Sequence, residues 1–231
     1  MIVSNPSVEL LQHSSLENCA KAIRTCWQSF DKSDCGGDKD KDLIDRVGNK
    51  FKHSSTLEHL SYTFYIKNIS RALLQELARH RIASLSVKST RYTLKELKDE
   101  KSFTKGLSLA NWVAATSAEM DQVYDDNRFS SAEKYLVFTG EPYTDASSVQ
   151  ALENLRVVLN LNISNDTAKY CLPESYKTEL TWTINARSLQ NFLSLRSSTA
   201  ALLEIQSLAF ELFSALPEDH KYLFENNIKG N

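Results

Sequence analysis

Ser61-Tyr62-Thr63-Phe64-Tyr65-Ile66-Lys67, and after it Ser70-Arg71-Ala72-Leu73-Leu74-Gln75-Glu76-Leu77-Ala78, is the stretch from which the fold is read. Its first half alternates, with Tyr62, Phe64 and Ile66 on one face, the period of a half-buried strand. In its second half Ser70 is placed to cap a helix through Arg71–Ala78. A strand that feeds a helix across one capping residue implies helices packed on a sheet. The pair delivers the chain to Arg79.

Residues 79–92 follow: Arg79-His80-Arg81-Ile82-Ala83-Ser84-Leu85-Ser86-Val87-Lys88-Ser89-Thr90-Arg91-Tyr92. They hold four cationic side chains, a histidine, three serines and Thr90, without an acid, glycine or proline. Guanidinium forks read phosphate or carboxylate planes bidentately, and short hydroxyls add neutral donors. The stretch reads as a site for a localised anion or as a solvated basic loop. Its position beyond a helix packed on a sheet favours a site, because binding groups gain precision from rigid supports.

Towards the N-terminus, Ser14 with Glu17 spells a capping box. Leu16, Cys19, Ala20, Ile23, Trp27 and Phe30 follow at helical spacing, predicting an amphipathic helix over 15–29. Residues 34–40 read as a polar loop, and a second helix is expected near 40–52. A hydroxyl-rich turn, His53 to His59, then leads to the strand. Beyond Tyr92, residues 95–105 are charged, and 108–138 read as one or two helices anchored by Trp112, Val113, Met120, Val123, Tyr135 and Leu136. Glu141-Pro142-Tyr143 reads as a break before a helix over 147–161, and Asn165 or Asp166 as the cap of a short helix ending at Leu172-Pro173. A second alternating strand, 180–184, precedes a helix capped by Ser188 that runs to Arg196. A last helix covers 199–216 and stops before Pro217. There is no internal repeat and no low-complexity linker. The expectation is one α+β domain spanning 1–231, helices around a small, mostly antiparallel sheet.

Composition narrows the function. The chain is 42% hydrophobic and 24% charged with a formal net charge of -2, which suits a folded globular protein and excludes disorder as the main theme. No apolar run approaches a membrane span, and Met1 to Pro6 has neither the basic start nor the apolar run of a signal peptide, so a cytoplasmic location is expected. A near-neutral chain is a poor general binder of nucleic acid or membrane. Cys19, Cys26, Cys35 and Cys171 form no disulfide framework; the first two read as small core residues. Cys171 could be a nucleophile or a buried structural thiol, and without a base near it in sequence the second is expected. His53 and His59 have no standard zinc spacing and no cysteine pair, so no metal is expected. A second polar cluster, Asn185-Ala186-Arg187-Ser188 with Asn191 and Arg196, leaves a strand and continues along a helix. It reads as part of a pocket or as an ordinary polar face.

The two clusters together resemble the flavin-dependent thymidylate synthases. The family signature is Arg-His-Arg, two residues, Ser, one, Asn, two, Ser, one, Arg. It matches at Arg79, His80, Arg81, Ser84, Ser89 and Arg91. A later family stretch matches at Thr183, Asn185, Ala186, Arg187, Ser188, Leu189, Asn191, Phe192, Leu193, Leu195 and Arg196. Leu57-Glu58-His59 and Ser29-Phe30-Asp31 are also similar, and the likeness runs from about residue 20 to 216.

The resemblance implies methylation of dUMP to dTMP, with 5,10-methylenetetrahydrofolate as carbon donor and FAD reduced by NADPH. It also implies a homotetramer whose active sites are shared between subunits, without a nucleic acid polymer or membrane as partner. Its flavin positions fall on Ser29, His53, Ser55, Arg79, His80, Arg81, Asn185, Arg187 and Asn191. Its substrate positions fall on Val87, Lys88, Ser89, Thr90, Arg91, Lys169, Arg196 and Arg79, and on the end of the helix before Arg79. There the family glutamine stands three residues before the first arginine; this chain has Glu76 at three and Gln75 at four. Arg196 is the residue implied to assist ionisation of the uracil ring, and Ser89 a substrate-contacting serine. Ser86 replaces the signature asparagine, Val87 the acid that commonly follows it, and Lys169 an arginine, which keeps the charge and loses the fork. Alternatives are a flavoprotein that no longer methylates and a non-enzymatic nucleotide or RNA binder. The second lacks aromatics interleaved with the basic residues.

Overall fold

The computed structural model describes residues 5–104 and 127–229. Four strands form one sheet: β1 (Ser7–His13), β2 (Ser61–Ser70), β3 (Ala83–Val87) and β4 (Lys177–Asn185), in the order β1-β2-β4-β3. The fold is α+β with an antiparallel sheet, as expected. β1 pairs antiparallel with β2, Ser7 opposite Lys67, and the register shifts between Leu10 and Gln12. The helices are α1 (Leu16–Thr25), α2 (Asp38–Ile44), α3 (Arg71–Ala78), α4 (Asn127–Glu133), α5 (Pro142–Asn160), α6 (Ala186–Arg196) and α7 (Leu203–Ser214), with single helical turns between them.

The chain divides into two units. The first comprises Pro6–Lys67, Glu76–Ser86 and the chain from Leu180 onwards. In it the alternation of β2 does what its period requires: Tyr62, Phe64 and Ile66 are fully buried. Trp182 and Ile184 of β4, Leu189, Phe192 and Leu193 of α6, and Ile205, Leu208 and Leu212 of α7 are buried as well. Each such side chain contributes about 1.5–3 kcal/mol on leaving water. α1 and α2 are joined by a buried ion pair, Arg24 Nη2 to Asp40 Oδ1 at 2.6 Å. Asp40 also accepts from Ser33 Oγ and the Gly36 amide, so the polar loop is tied to this pair. These donors hold the Asp40 carboxyl below its usual range although burial alone would raise it.

The second unit is built from Asn68–Gln75 and from the chain between Val87 and Glu179. Its core gathers Leu94, Leu97, Phe103, Tyr135, Leu136, Val149, Leu152, Leu155, Leu159 and Tyr176. Ser70 Oγ accepts from the Leu73 amide at 3.0 Å, the expected cap of α3. No helix among the described residues is long and apolar enough to cross a membrane.

Several local expectations are corrected. α1 ends at Thr25, and Trp27, 83% exposed, lies off its apolar face. Ser14 Oγ bonds Ser61 instead of closing a capping box. Pro142 does not break a helix but begins one: Glu141 accepts from the Thr144 amide, and proline suits the first turn because its missing N–H needs no partner there. Ser164, not Asn165 or Asp166, caps the short helix Asn165–Ala168. α6 starts at Ala186, so its cap is Asn185, whose Oδ1 accepts from the Ser188 amide at 2.8 Å. Cys26 and Cys171 are exposed, while Cys19 is buried with its thiol pushed up to about 12 by burial. The expected helices over 108–138 lie mostly outside the described residues; the described helix ends at Glu133, so Tyr135 and Leu136 are buried beyond it rather than as helix anchors, Leu136 in an isolated bridge with Tyr176.

Candidate active site

α6 leaves β4 through Asn185, and its exposed face carries Arg187, Asn191 and Leu195 at i, i+4 and i+8, one stripe of a helix. Its opposite face plants Phe192 in the core. Trp182 packs edge-on against Phe192 with ring centres 5.2 Å apart, and Phe192 packs edge-on against His80 at 4.9 Å. A row of three rings therefore runs from the core to His80, and α6 and the segment after α3 meet where the sequence placed its two polar clusters.

They enclose a cavity of about 590 Å³ lined by Arg79, His80, Arg81, Ile82, Arg187, Ser188, Asn191, Leu195 and Arg196. That volume is in the range of small-molecule sites. Four guanidinium groups face it or border it. Arg196, the least exposed, donates Nε–H to His80 Nε2 at 2.9 Å and Nη1–H to Glu76 Oε2 at 2.8 Å. Arg79 lies 3.5 Å from the other Glu76 oxygen. Arg187 pairs with Glu58 at 2.6 Å. Arg81 is exposed and has no ion-pair partner among the described residues. His80 is pushed down to about 4, first by burial, then by the charges of Arg196 and Arg79. The ring is neutral at pH 7 and its Nε2 is an acceptor, which the Arg196 contact uses.

Ile82 is the strained member. Its φ is +56°, in the left-handed region that a β-branched residue rarely adopts, and its side chain is 75% exposed at the cavity. Strain of this kind persists where the surrounding structure enforces it and clusters at functional sites.

Arg79, His80, Arg81, Arg187, Asn191 and Arg196 thus line one cavity. Asn185 is near in sequence, but its oxygen is committed to the cap. Ser29, His53 and Ser55 lie in the same unit without lining this cavity. Ser29 gives its carbonyl to Arg24, and His53 its carbonyl to Thr56. Glu76 is behind Arg196, whereas Gln75 belongs to the second unit and bonds Glu174. Of the two candidates, Glu76 is the one at this site.

The remaining substrate candidates belong to the second unit. Arg91 grips Asp166 with both ends of its fork, at 3.0 and 2.8 Å, and Lys169 lies 3.7 Å from the same carboxylate. Lys88 pairs with Glu179 at 3.2 Å. Val87 ends β3, and Ser89 precedes a helical turn that Thr90 begins; Ser89 Oγ has no hydrogen-bond partner among the described residues. Among the described residues no group of three or more His, Cys, Asp or Glu side chains is placed to hold a metal.

From the sequence Ile82 has no site role, and Leu195 and Glu58 match the family pattern without one. The helical spacing of Leu195 from Arg187 was signal enough for one. The 129 residues between Glu58 and Arg187 left no local signal for another.

A model of the thymidylate synthase complementing protein family matches residues 9–220. A flavin-dependent thymidylate synthase of Wolinella succinogenes is 63% identical over 224 residues, 97% of this chain and 100% of that protein. One of Campylobacter jejuni is 60% identical over 219 residues, covering 95% and 96%. The crystal structure of thymidylate synthase X from Helicobacter pylori with FAD and dUMP superposes with a TM-score of 0.85 at 54% identity. The match covers 97% of this chain and all of that one.

Proposed function

The chain belongs to the thymidylate synthase complementing protein family, the flavin-dependent thymidylate synthases, and from that membership we propose how its residues divide the work of making dTMP from dUMP. The chain is an enzyme of that reaction, with FAD as flavin, NADPH as reductant and 5,10-methylenetetrahydrofolate as carbon donor. When bound and reduced, the flavin supplies the reducing chemistry by which the folate one-carbon unit becomes the C5 methyl group.

The donor set suits such a ligand. Arg79 and Arg81 present guanidinium forks to phosphate, Arg187 and Asn191 line the same cavity as a cation and an amide, and Ile82 and Leu195 offer apolar contact to a ring system. Ser29, His53, Ser55 and Asn185 are proposed as further flavin contacts, and His80 as a neutral one. A cation at Arg187 favours a reduced, anionic flavin. For dUMP the proposed contacts are Arg79, Val87, Lys88, Ser89, Thr90, Arg91, Lys169 and Arg196, with Glu76 held outside the cavity wall by Arg196 and Arg79 and Gln75 bonded to Glu174. Val87 contributes through its backbone only, since its side chain accepts nothing. Ser89 binds and does not attack.

Arg196 carries the chemical step on the substrate. Methylation at C5 needs electron density on the uracil ring, and a preorganised guanidinium at the carbonyl edge stabilises the enolate-like charge that develops. The complete site is proposed to be assembled from several copies of the chain in a cytoplasmic homotetramer, each chain acting as one functional domain. The observation that carries this reading is the convergence of both sequence clusters on one cationic cavity.

The test is tritium release from dUMP labelled at C5, with FAD, NADPH and methylenetetrahydrofolate present and then each omitted. Release that needs reduced flavin, with dTMP formed only when folate is present, is the expected result. A chain that holds FAD and releases nothing would be the flavoprotein that no longer methylates.

A further inference from the structure

Glu76 is an acid in the midst of cations, and it is not part of the cavity wall that Arg79, His80 and Arg196 help to form. It sits near the end of α3, with one carboxylate oxygen 2.8 Å from Arg196 and the other 3.5 Å from Arg79. Arg196 has five N–H donors in a fixed plane. One on Nε goes to His80 and one on Nη1 to Glu76, which leaves three without a partner among the described residues. The two acceptors differ in kind: His80 is a neutral ring nitrogen, Glu76 a full charge.

We propose that Glu76 is a positioning residue for Arg196: from behind the cavity wall its carboxylate fixes the guanidinium plane and offsets its charge, so that this end of the cavity reads the neutral imide edge of a pyrimidine rather than a phosphate. This rests on the nucleotide reading of the cavity given above. A guanidinium already facing a carboxylate gains less from a second anion than a bare one, while its free N–H groups keep full directionality towards a carbonyl. Arg81, which has no such partner, and Arg79, whose contact with Glu76 is the longer one at 3.5 Å, are left to answer phosphate. The cavity is thereby graded from an anion-binding end to an imide-binding end by one acid placed outside it.

The test is a double-mutant cycle read by dUMP turnover and by flavin content. Glu76→Ala should lower kcat/KM for dUMP by about tenfold or more while flavin per chain stays within about twofold. Glu76→Gln, which keeps an acceptor without the charge, should lose less. Added to Arg196→Ala, Glu76→Ala should change the rate by less than about twofold, because a residue that acts through Arg196 has nothing left to position. Losses that multiply, or a Glu76→Ala enzyme as active as the unsubstituted one, would overturn the proposal. Should Glu76→Ala fail to fold, the same cycle is run with Glu76→Gln. If the unsubstituted chain releases no tritium, the functional reading fails instead. Positioning is then judged by the Arg196 Nη–H signals in ¹H–¹⁵N spectra: their exchange with water should speed up in Glu76→Gln, and an unchanged exchange rate would refute it.

Discussion

Arg196 and Arg91 are both arginines held by a carboxylate at 2.8 Å, yet their surroundings differ: the Arg196 side chain is 18% exposed and that of Arg91 60%. Arg196 lies beside a row of packed rings, with a neutral histidine on its Nε and a cavity before it. Arg91 and Asp166 stand in solvent with Lys169 alongside. A surface pair is screened by water and salt and leaves little net stabilisation. A partly enclosed one keeps its orientation, and orientation is what a reaction site uses. Sequence chemistry of one kind has produced a fixed tool in the first unit and an adaptable contact in the second.

The strongest blow to that contrast is Arg196→Ala, which should cut turnover about 10²–10³-fold, the scale of losing one preorganised donor, while flavin absorbance per chain is retained. Equal turnover would remove Arg196 from its role. Next is Arg79→Ala, whose guanidinium has only a distant partner and is free for a ligand. It should weaken flavin retention by about tenfold, the worth of one charge-assisted hydrogen bond, read as the flavin-to-protein ratio after gel filtration.

Titration separates the two regions further. His80 and His220 are each pushed by burial from 6.5 to about 4 in the folded chain. The unfolded chain therefore takes up protons first, so stability is full above pH 6.5 and falls as pH drops from 6.5 to 4. Asp166 is held below 3.8, chiefly by its Arg91 hydrogen bond, so what it contributes is present above pH 3.8 and lost only below it. Melting curves across pH should show His80→Gln flattening the slope between 6.5 and 4, while Asp166→Asn leaves that window untouched. The smallest effect is Asp166→Asn at pH 7, which should leave the melting temperature nearly unchanged, and more nearly so in high salt.

Legibility in the sequence followed the same physics. β2 and β4 alternate because one face is buried, and that period is local. β1 has mostly exposed residues and the irregular register of an edge strand, so no alternation announces it. β3, Ala83–Val87, is short, Ser84 and Ser86 leave it little apolar surface, and in sequence it merges with a basic loop. The site's cations were legible as a cluster because they lie in two short stretches. Their acids were not: Glu58 meets Arg187 across 129 residues, and the choice between Gln75 and Glu76 needed the direction of each side chain at the end of α3. The cap of α6 was misplaced by three residues because Asn185 and Ser188 are both good caps, and only the hydrogen bond tells which one opens the helix.

The interleaving of the two units has a consequence for inheritance. Each is assembled from separated stretches, and the segment from Asn68 to Ser86 alone passes from one unit to the other at Glu76. A genetic crossover between two diverged relatives, placed almost anywhere in the middle of the gene, would give both units a mixed parentage. Neither can be passed on, lost or grafted as one block of sequence. Change comes by point substitution instead, and a lineage that alters Glu76 does so under the constraint of Arg196, ten dozen residues away.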